Sequence, residues 1–403
     1  MPSESIVIVG AGHSGTKTAA ALRKHGSTAP ITLIGDEACL PYDRPPLSKA
    51  VLLGKRASAE CAFYPLSWYC DNGIELRLNQ SAIDIDRSGR RILLEEGWDV
   101  SYGRLVLATG SSTNPLNVPG SELEGVFPLR APHHADAIAR LLLPQQRLVV
   151  IGAGVIGLEV AAAAVERGCE VKVFEAAASA MGRSLPAAVS SALIAEHRKR
   201  GVEIRFDAKL AAIEGNKAVT AVRLAAGEVV PCDIVVYGVG VRPRTQLAEK
   251  AGLRVDDGVR TNRLLQTEDE SIFACGDVCS YESLLFERHL RLESWRNAED
   301  QADTVARNLL GQGSAFDEVP WFWSHQYDLA LHVAGLPTLG QVIVTRTVGS
   351  SRVYLSFDGE GKLKGASGLG AVREIAKPIR DLKAAIATRA VVDPESVGAP
   401  AFW

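Results

Sequence analysis

Two stretches of the chain carry the same pattern of apolar and small residues. IVIVGAGHSGTKTAAALRKHG (6–26) and LVVIGAGVIGLEVAAAAVERG (148–168) align without a gap. Each reads as an apolar strand, a glycine loop, an alanine-rich helix and a closing glycine, so one unit occurs twice. A second apolar run follows each copy: CEVKVFE, ending at Glu175, and STAPITLIGD, ending at Asp36 or Glu37. Later, alternation in VIVTRTV and RVYLSF predicts an antiparallel sheet, and REIAKPIRDLKAAIATR predicts helices despite Pro378. The stretch Leu148 to Val165 is long enough to imitate a membrane span, but Glu159 and the glycine turns divide it into strand, loop and helix.

Each copy is a βαβ unit with the spacing G-x-G-x-x-G, at Gly10, Gly12, Gly15 and at Gly152, Gly154, Gly157. The first glycine permits a tight turn, the second lets a pyrophosphate approach the backbone, and the third lets helix pack on strand. Unpaired N–H groups and the positive dipole end of the helix then face the phosphates. One such loop is weak evidence, because a glycine turn can be purely structural; two, each with strand, helix and acid, are strong. The acid closing the second strand is placed to bond a ribose 2′-hydroxyl and to repel a 2′-phosphate. Glu175, followed by three alanines and no arginine, therefore argues for NADH. Two dinucleotide folds imply two dinucleotides, and the usual hydride acceptor from a nicotinamide is FAD. LVLATGSS (105–112) and TEDESIFACGDVCS (267–280) support the flavin, the latter placing Gly276 and Asp277 in a turn whose carboxylate can meet a ribityl chain.

The 403 residues exceed what one core usually supports, so two or three domains are expected. The residues are 47% hydrophobic and 23% charged, with a net charge of −3, which signals no whole-molecule attraction to nucleic acid or anionic lipid. The opening MPSESIVIVGAG does not look like a signal peptide, and a cytoplasmic protein is expected. Seven cysteines, at 39, 61, 70, 169, 232, 275 and 279, include no C-x-x-C pair and accompany no histidine cluster, so neither a metal site nor a dithiol is expected. Cys275 and Cys279 read as inert packing, and Cys39 as a small residue beside a loop in preference to a flavin-facing thiol.

The fold expected is α/β, with a discontinuous FAD domain at 1–113 and 238–317, an inserted NAD domain at 114–237 and a C-terminal α+β domain at 318–403. The segment 361–403 holds seven Lys/Arg against four Asp/Glu, which fits either a docking face for an acidic protein or a solvated helix.

One stretch is unusual: LPYDRPPLSK (40–49) sets three prolines ahead of a lysine. Together with GAGHSG, LVLATG, VVIGAGVIGLEVA, FACGDV, RLESWRNAEDQA and VPWFWS in that order, it makes the whole chain resemble the FAD-dependent, NADH-using ferredoxin reductases of the putidaredoxin reductase type. These are reductase components of aromatic-ring dioxygenase and bacterial haem monooxygenase systems, with a glutathione-reductase-like arrangement of domains. The resemblance implies that Lys49, on its stiff arm, lies near the flavin N5 and pairs with Glu159. It further implies that Gly10, Gly12, Ser14, Gly15, Asp36, Glu37, Arg44, Ala82, Arg130, Gly276, Asp277 and Trp295 meet FAD. Gly152, Gly154, Ile156, Gly157, Glu159, Glu175 and Arg183 would meet NAD, and Trp321 or Trp323 would lie toward the partner.

Two departures stand out: Ser179 occupies a position where relatives often carry arginine, and His325 one where aspartate is common. The reaction implied is hydride transfer from NADH to FAD, then single-electron transfer to a separate, acidic [2Fe–2S] ferredoxin. A monomer or weak homodimer is expected, with no nucleic-acid or membrane role. Rubredoxin fits nearly as well as acceptor. An NADH oxidase or peroxidase shares the framework, as does an apoptosis-inducing-factor-like signalling protein, whereas a disulfide reductase would need the missing cysteine pair.

Overall fold

The computed structural model describes residues 5–389 and 391. Two of the four acidic residues counted in the C-terminal segment, Asp393 and Glu395, lie outside the described residues. The chain forms two compact units: one takes residues up to Asp43 with Cys61–Ser112 and Val241–Pro320, the other takes Arg44–Glu60, Thr113–Gly240 and the chain from Trp321.

The first unit is organised on a five-stranded parallel sheet, in the order Ile272–Ala274, Arg104–Leu107, Ile6–Val9, Ile31–Ile34, Ile74–Arg77. Its central strand, IVIV, is buried at all four positions, as a strand covered on both faces must be. Strand order reverses at Ile6–Val9, which pairs with the second strand on one side and with Arg104–Leu107 on the other. That is a topological switch point, and the first glycine loop leaves its carboxyl end. The helix His13–Lys24 follows, packing Ala19 and Leu22 with no exposed surface. An antiparallel meander, Ala82–Asp86, Arg91–Leu94 and Asp99–Ser101, completes the amino-terminal part.

The second unit repeats this architecture. Its parallel sheet runs Glu203–Arg205, Glu170–Phe174, Arg147–Ile151, Ile234–Tyr237, Val126–Pro128, again with the glycine loop at the reversal. The helix Val155–Glu166 is apolar nearly all round, so it is buried on every side from Gly157 to Ala164, Glu159 included. A five-stranded antiparallel sheet, in the order Trp321–Gln326, Leu329–Gly335, Leu363–Gly370, Ser351–Phe357, Val342–Val348, carries the C-terminal part. A single helix, Val372–Ala387, covers it. It accommodates Pro378 on its buried side; the missing N–H costs one intrahelical bond, which packing of Ile375, Ile379 and Leu382 offsets. Among the described residues no helix is long and apolar enough to cross a membrane.

Candidate active site

In the first loop the three glycines have different reasons to be there. Gly10 has φ +111°, and a side chain on it would run into the Ala108 carbonyl; one on Gly15 would strike the Gly10 carbonyl. Gly12 has nothing within 4 Å of where a Cβ would stand among the described residues. Packing inside the chain therefore explains the outer glycines and leaves room at the middle one. The same holds in the second loop, where Gly152 (φ +104°) and Gly157 are hemmed in by backbone and Gly154 faces open space. Both following helices begin without a side-chain cap and without an acid in the first turn. By contrast, Ser294 caps Trp295–Leu309 by accepting from the Asn297 N–H. Two open, uncapped helix ends beside a space left by glycine suit the pyrophosphates of two dinucleotides.

Around the first loop, residues distant in sequence converge. Ser14 Oγ donates to the Cys275 carbonyl at 3.5 Å. Gly276 has φ +77°, where a side chain would collide with Ser14, and its N–H donates to Gln301 Oε1 at 2.8 Å. Asp277 accepts from Ser111 Oγ at 2.7 Å. Trp295 Nε1 donates to Asp43 at 2.8 Å, and its ring lies 4.6 Å from that of His13, edge-on. Asp36 stands two residues past the end of the second strand, exposed, in an ion pair with Arg244 at 2.6 Å. Asp36 also lines a cavity of about 270 Å³ with Asn79, Gln80, Ser81 and Glu95. Gln80 Oε1 is buried there with no hydrogen-bond partner among the described residues, a vacant acceptor of the kind an adenine amine can fill. Glu37 takes a thiol contact from Cys39 at 3.8 Å, and Ala82 opens the strand Ala82–Asp86. Burial pushes the thiols of Cys275 and Cys279 up to about 11 and about 12, which keeps both protonated.

On the second loop Glu175 accepts from the Ala153 N–H at 2.7 Å and the Ala177 N–H at 2.8 Å. Two backbone donors fix the carboxylate beside the loop and leave acceptor capacity free for a hydroxyl. Ile156, on the first helical turn, is 42% exposed. Arg183 is exposed, and a side chain at Gly240 would come 3.6 Å from its guanidinium. Ser179 lies beside Gly182 in the same loop.

From Arg44 onward the proline arm belongs to the second unit. Arg44 donates to the Arg130 carbonyl at 3.0 Å, and Pro45–Ser48 forms a 3₁₀ turn that presents Ser48 and Lys49 together. Lys49 Nζ donates to Glu159 Oε2 at 2.7 Å; the Ser48 hydroxyl donates to the same oxygen, and Ser324 Oγ donates to Oε1 at 2.6 Å. The Glu159 side chain is 1% exposed and that of Lys49 is 23% exposed. A carboxylate taken out of water costs several kcal/mol, so these three donors are what make its position tenable. The alternation of the strand Trp321–Gln326 buries Ser324 and leaves His325 outward. Burial and then the Lys49 charge hold His325 below its ordinary value, against the opposing pull of Glu159, so it is neutral at pH 7. Trp321 and Trp323 stack at 5.1 Å between ring centroids.

Ser48, Gln80, Ser111, Ser324 and Gln326 were not singled out from the sequence. Ser48, Ser324 and Gln326 had a signal, since each is adjacent to a residue that was. Among the described residues no group of His, Cys, Asp and Glu is arranged to hold a metal ion.

Comparison with known proteins agrees with this geometry. The pyridine nucleotide-disulphide oxidoreductase family matches residues 4–302, and a reductase C-terminal family matches 321–402. The chain is 38% identical over 402 residues to the ferredoxin–NAD(+) reductase component of an anthranilate 1,2-dioxygenase system from Burkholderia cepacia, covering 99% of this chain and 98% of that one. It is 38% identical over 332 residues to a rubredoxin–NAD(+) reductase from Pseudomonas putida, covering 82% and 86%. The reductase in a covalent putidaredoxin reductase–putidaredoxin complex superposes with a TM-score of 0.95 at 33% identity, covering 100% of this chain and 97% of that one. The chain belongs to the pyridine nucleotide-disulphide oxidoreductase family, among its ferredoxin reductases of the putidaredoxin reductase type.

Proposed function

We propose that this protein takes a hydride from NADH onto FAD and passes the electrons singly to a separate [2Fe–2S] ferredoxin that supplies an oxygenase. The observation that carries the reading is the pair of uncapped glycine loops whose middle glycines, Gly12 and Gly154, face open space. Gly10, Gly12, Ser14, Gly15, Asp36, Glu37, Arg44, Lys49, Ala82, Arg130, Gly276, Asp277 and Trp295 would hold FAD. Gly152, Gly154, Ile156, Gly157, Glu159, Glu175 and Arg183 would hold NAD. The corresponding domains are 1–113 with 238–317 for FAD, 114–237 for NAD, and 318–403 for the C-terminal part. FAD supplies the conversion between a two-electron donor and a one-electron acceptor.

The chain's own residues bind and position. Glu175, already fixed by two backbone donors, accepts a ribose hydroxyl and disfavours a 2′-phosphate through charge repulsion. Lys49 brings a fixed positive charge to the reacting region, held by Glu159 so that little reorganisation is needed during the reaction. A cytoplasmic monomer or weak homodimer, with a partner of acidic surface, completes the proposal.

The relatives support both ferredoxin and rubredoxin as acceptors, since one named for each matches most of the chain. Anaerobic stopped-flow mixing tests the reading. The purified yellow protein is reduced by NADH or by NADPH, then mixed with a [2Fe–2S] ferredoxin, a rubredoxin or oxygenated buffer. Rapid bleaching by NADH, slow bleaching by NADPH and fast cluster reduction are expected. Fast reoxidation by oxygen alone would replace the reading with an oxidase.

A further inference from the structure

We infer that Ser324, Gln326, His197 and Tyr327 form a positioning chain that fixes the Glu159 carboxylate, and through it the Lys49 ammonium. The inference rests on the reading of Lys49 just given and adds four residues to its support.

The bonds run in one line within the second unit. Tyr327 Oη lies 3.1 Å from His197 Nδ1, His197 Nε2 lies 2.6 Å from Gln326 Oε1, and Gln326 Nε2 donates to Ser324 Oγ at 3.0 Å. Ser324 Oγ then donates to Glu159 Oε1 at 2.6 Å. Glu159, Ser324, Gln326 and His197 are at most 3% exposed. An ionised carboxylate only accepts, so Ser324 must give it its proton and receive one from the Gln326 amide. The Gln326 carbonyl then accepts from His197 Nε2–H, and Nδ1 is left to accept from the Tyr327 hydroxyl. Every donor in the chain therefore points toward Glu159, an arrangement in which successive bonds polarise one another. Burial lowers His197 and raises Tyr327 from their ordinary values, so the imidazole is neutral and the phenol protonated, as the line requires.

The far end is held at a conformational cost. Tyr327 begins the two-residue turn between the strands Trp321–Gln326 and Leu329–Gly335, with φ +59°, where asparagine or glycine is the ordinary choice. Arg200 lies over its ring at 4.5 Å and pairs with Asp328 at 2.5 Å, closing the turn around the phenol. A left-handed tyrosine is what brings a hydroxyl to His197. The line is not a proton path, because the Gln326 amide cannot accept a proton and release another without tautomerising. Its function is to hold an orientation.

Two measurements on the full-length, flavin-loaded protein test this. In NMR of the ¹⁵N-histidine-labelled protein at pH 7, His197 should be neutral with its proton on Nε2; an Nδ1–H tautomer or an imidazolium would overturn the inference. In anaerobic reduction by NADH, Gln326→Leu and Ser324→Ala should each lower the limiting rate about tenfold, a larger change than in the half-saturating NADH concentration. Ser324→Thr, which keeps the hydroxyl, should return it to within about twofold, and Tyr327→Phe, which removes only the outermost bond, should cost about threefold. Placed in a Lys49→Met background, Gln326→Leu should add no further loss. An equal loss in both backgrounds would mean a merely structural role and would overturn the inference. If Lys49→Met slows reduction and Gln326→Leu does not, the chain fails while the function stands. If Lys49→Met changes nothing, the reading of Lys49 fails and the positioning role with it.

Discussion

The two glycine-loop copies share a backbone and differ in where they place charge. In each, the residue before the loop pairs with the end of the next strand: Val9 with Ile34, and Ile151 with Phe174. The residue that follows is Gly35 in one copy and Glu175 in the other. Glu175 turns its carboxylate onto the Ala153 N–H, whereas at Gly35 a side chain would come within 2.6 Å of the Ala11 Cβ. The first copy therefore carries its acid one residue later, at Asp36, paired with Arg244. Helix positions diverge in the same way. The gapless alignment sets Lys17 opposite Glu159; Lys17 is 22% exposed, 3.6 Å from Glu299 and 4.9 Å from the centre of the Phe63 ring. One βαβ unit thus carries a half-buried cation with a single carboxylate partner among the described residues and the other a buried anion on which three donors depend.

The largest effect expected from this comparison is at that shared helix position. Glu159→Ala strands Ser48, Lys49 and Ser324 around an empty space and should cost about 3–5 kcal/mol of stability. Lys17→Ala removes a partly screened pair and should cost about 1 kcal/mol or less. Urea unfolding of the two variants side by side checks this, and equal midpoints would show that Glu159 is not the anchor described.

Next in size is substitution of the middle glycines. With open space where a side chain would stand, Gly12→Val and Gly154→Val should leave the thermal midpoint of the cofactor-free protein nearly unchanged. The first should lose flavin on gel filtration, and the second should weaken NADH binding by about a hundredfold, the loss of a close backbone approach to phosphate. A large fall in the cofactor-free midpoint would mean that these glycines serve the fold instead.

What could be read in the sequence follows the same divide. Local periodicity exposed both strand–loop–helix units, the antiparallel C-terminal strands and the acids near the strand ends, because each is written in neighbouring residues. Register was not legible: nothing in GDE says that Gly35, not Asp36, stands where Glu175 does, since only pairing in the sheet decides it. Long-range partners were equally hidden. Asp36 meets Arg244 across 208 positions, and Ser324 meets Glu159 across 165. REIAKPIRDLKAAIATR read as helices around Pro378, yet burial of the proline lets one helix continue through it. His197 gave no signal at all, being an ordinary polar residue whose meaning comes from meeting Gln326 inside the fold.

A smaller effect concerns coenzyme choice. Glu175→Ala removes the carboxylate held by Ala153 and Ala177, and should weaken the preference for NADH over NADPH about tenfold, measured as the ratio of limiting kcat/KM values. Asp36→Ala, which removes the acid of the other copy, paired with Arg244 and assigned to FAD instead of NAD, should leave that ratio unchanged in the flavin-loaded protein. An unchanged ratio in the Glu175 variant would detach the acid from coenzyme recognition.

The smallest expected effect is on acid stability, and it separates the two units. His197, His325 and His332, each held below the ordinary histidine value of 6.5 chiefly by burial, lie in the second unit. A histidine with a lowered folded-state value binds its proton more readily when unfolded. Its contribution to stability is therefore complete above 6.5 and is lost as the pH falls toward the folded-state value. Acidification from pH 7 to about 5.5 should therefore loosen the second unit first. Hydrogen exchange should show amides of Trp321–Gln326 and of the helix Ala187–Lys199, which carries His197, losing protection ahead of those in Ile6–Val9. His197→Gln should flatten part of that pH dependence even though it lowers stability at pH 7, because it removes the titrating group together with its hydrogen bonds. Loss of protection in both units at the same pH would place the acid sensitivity elsewhere than in these histidines.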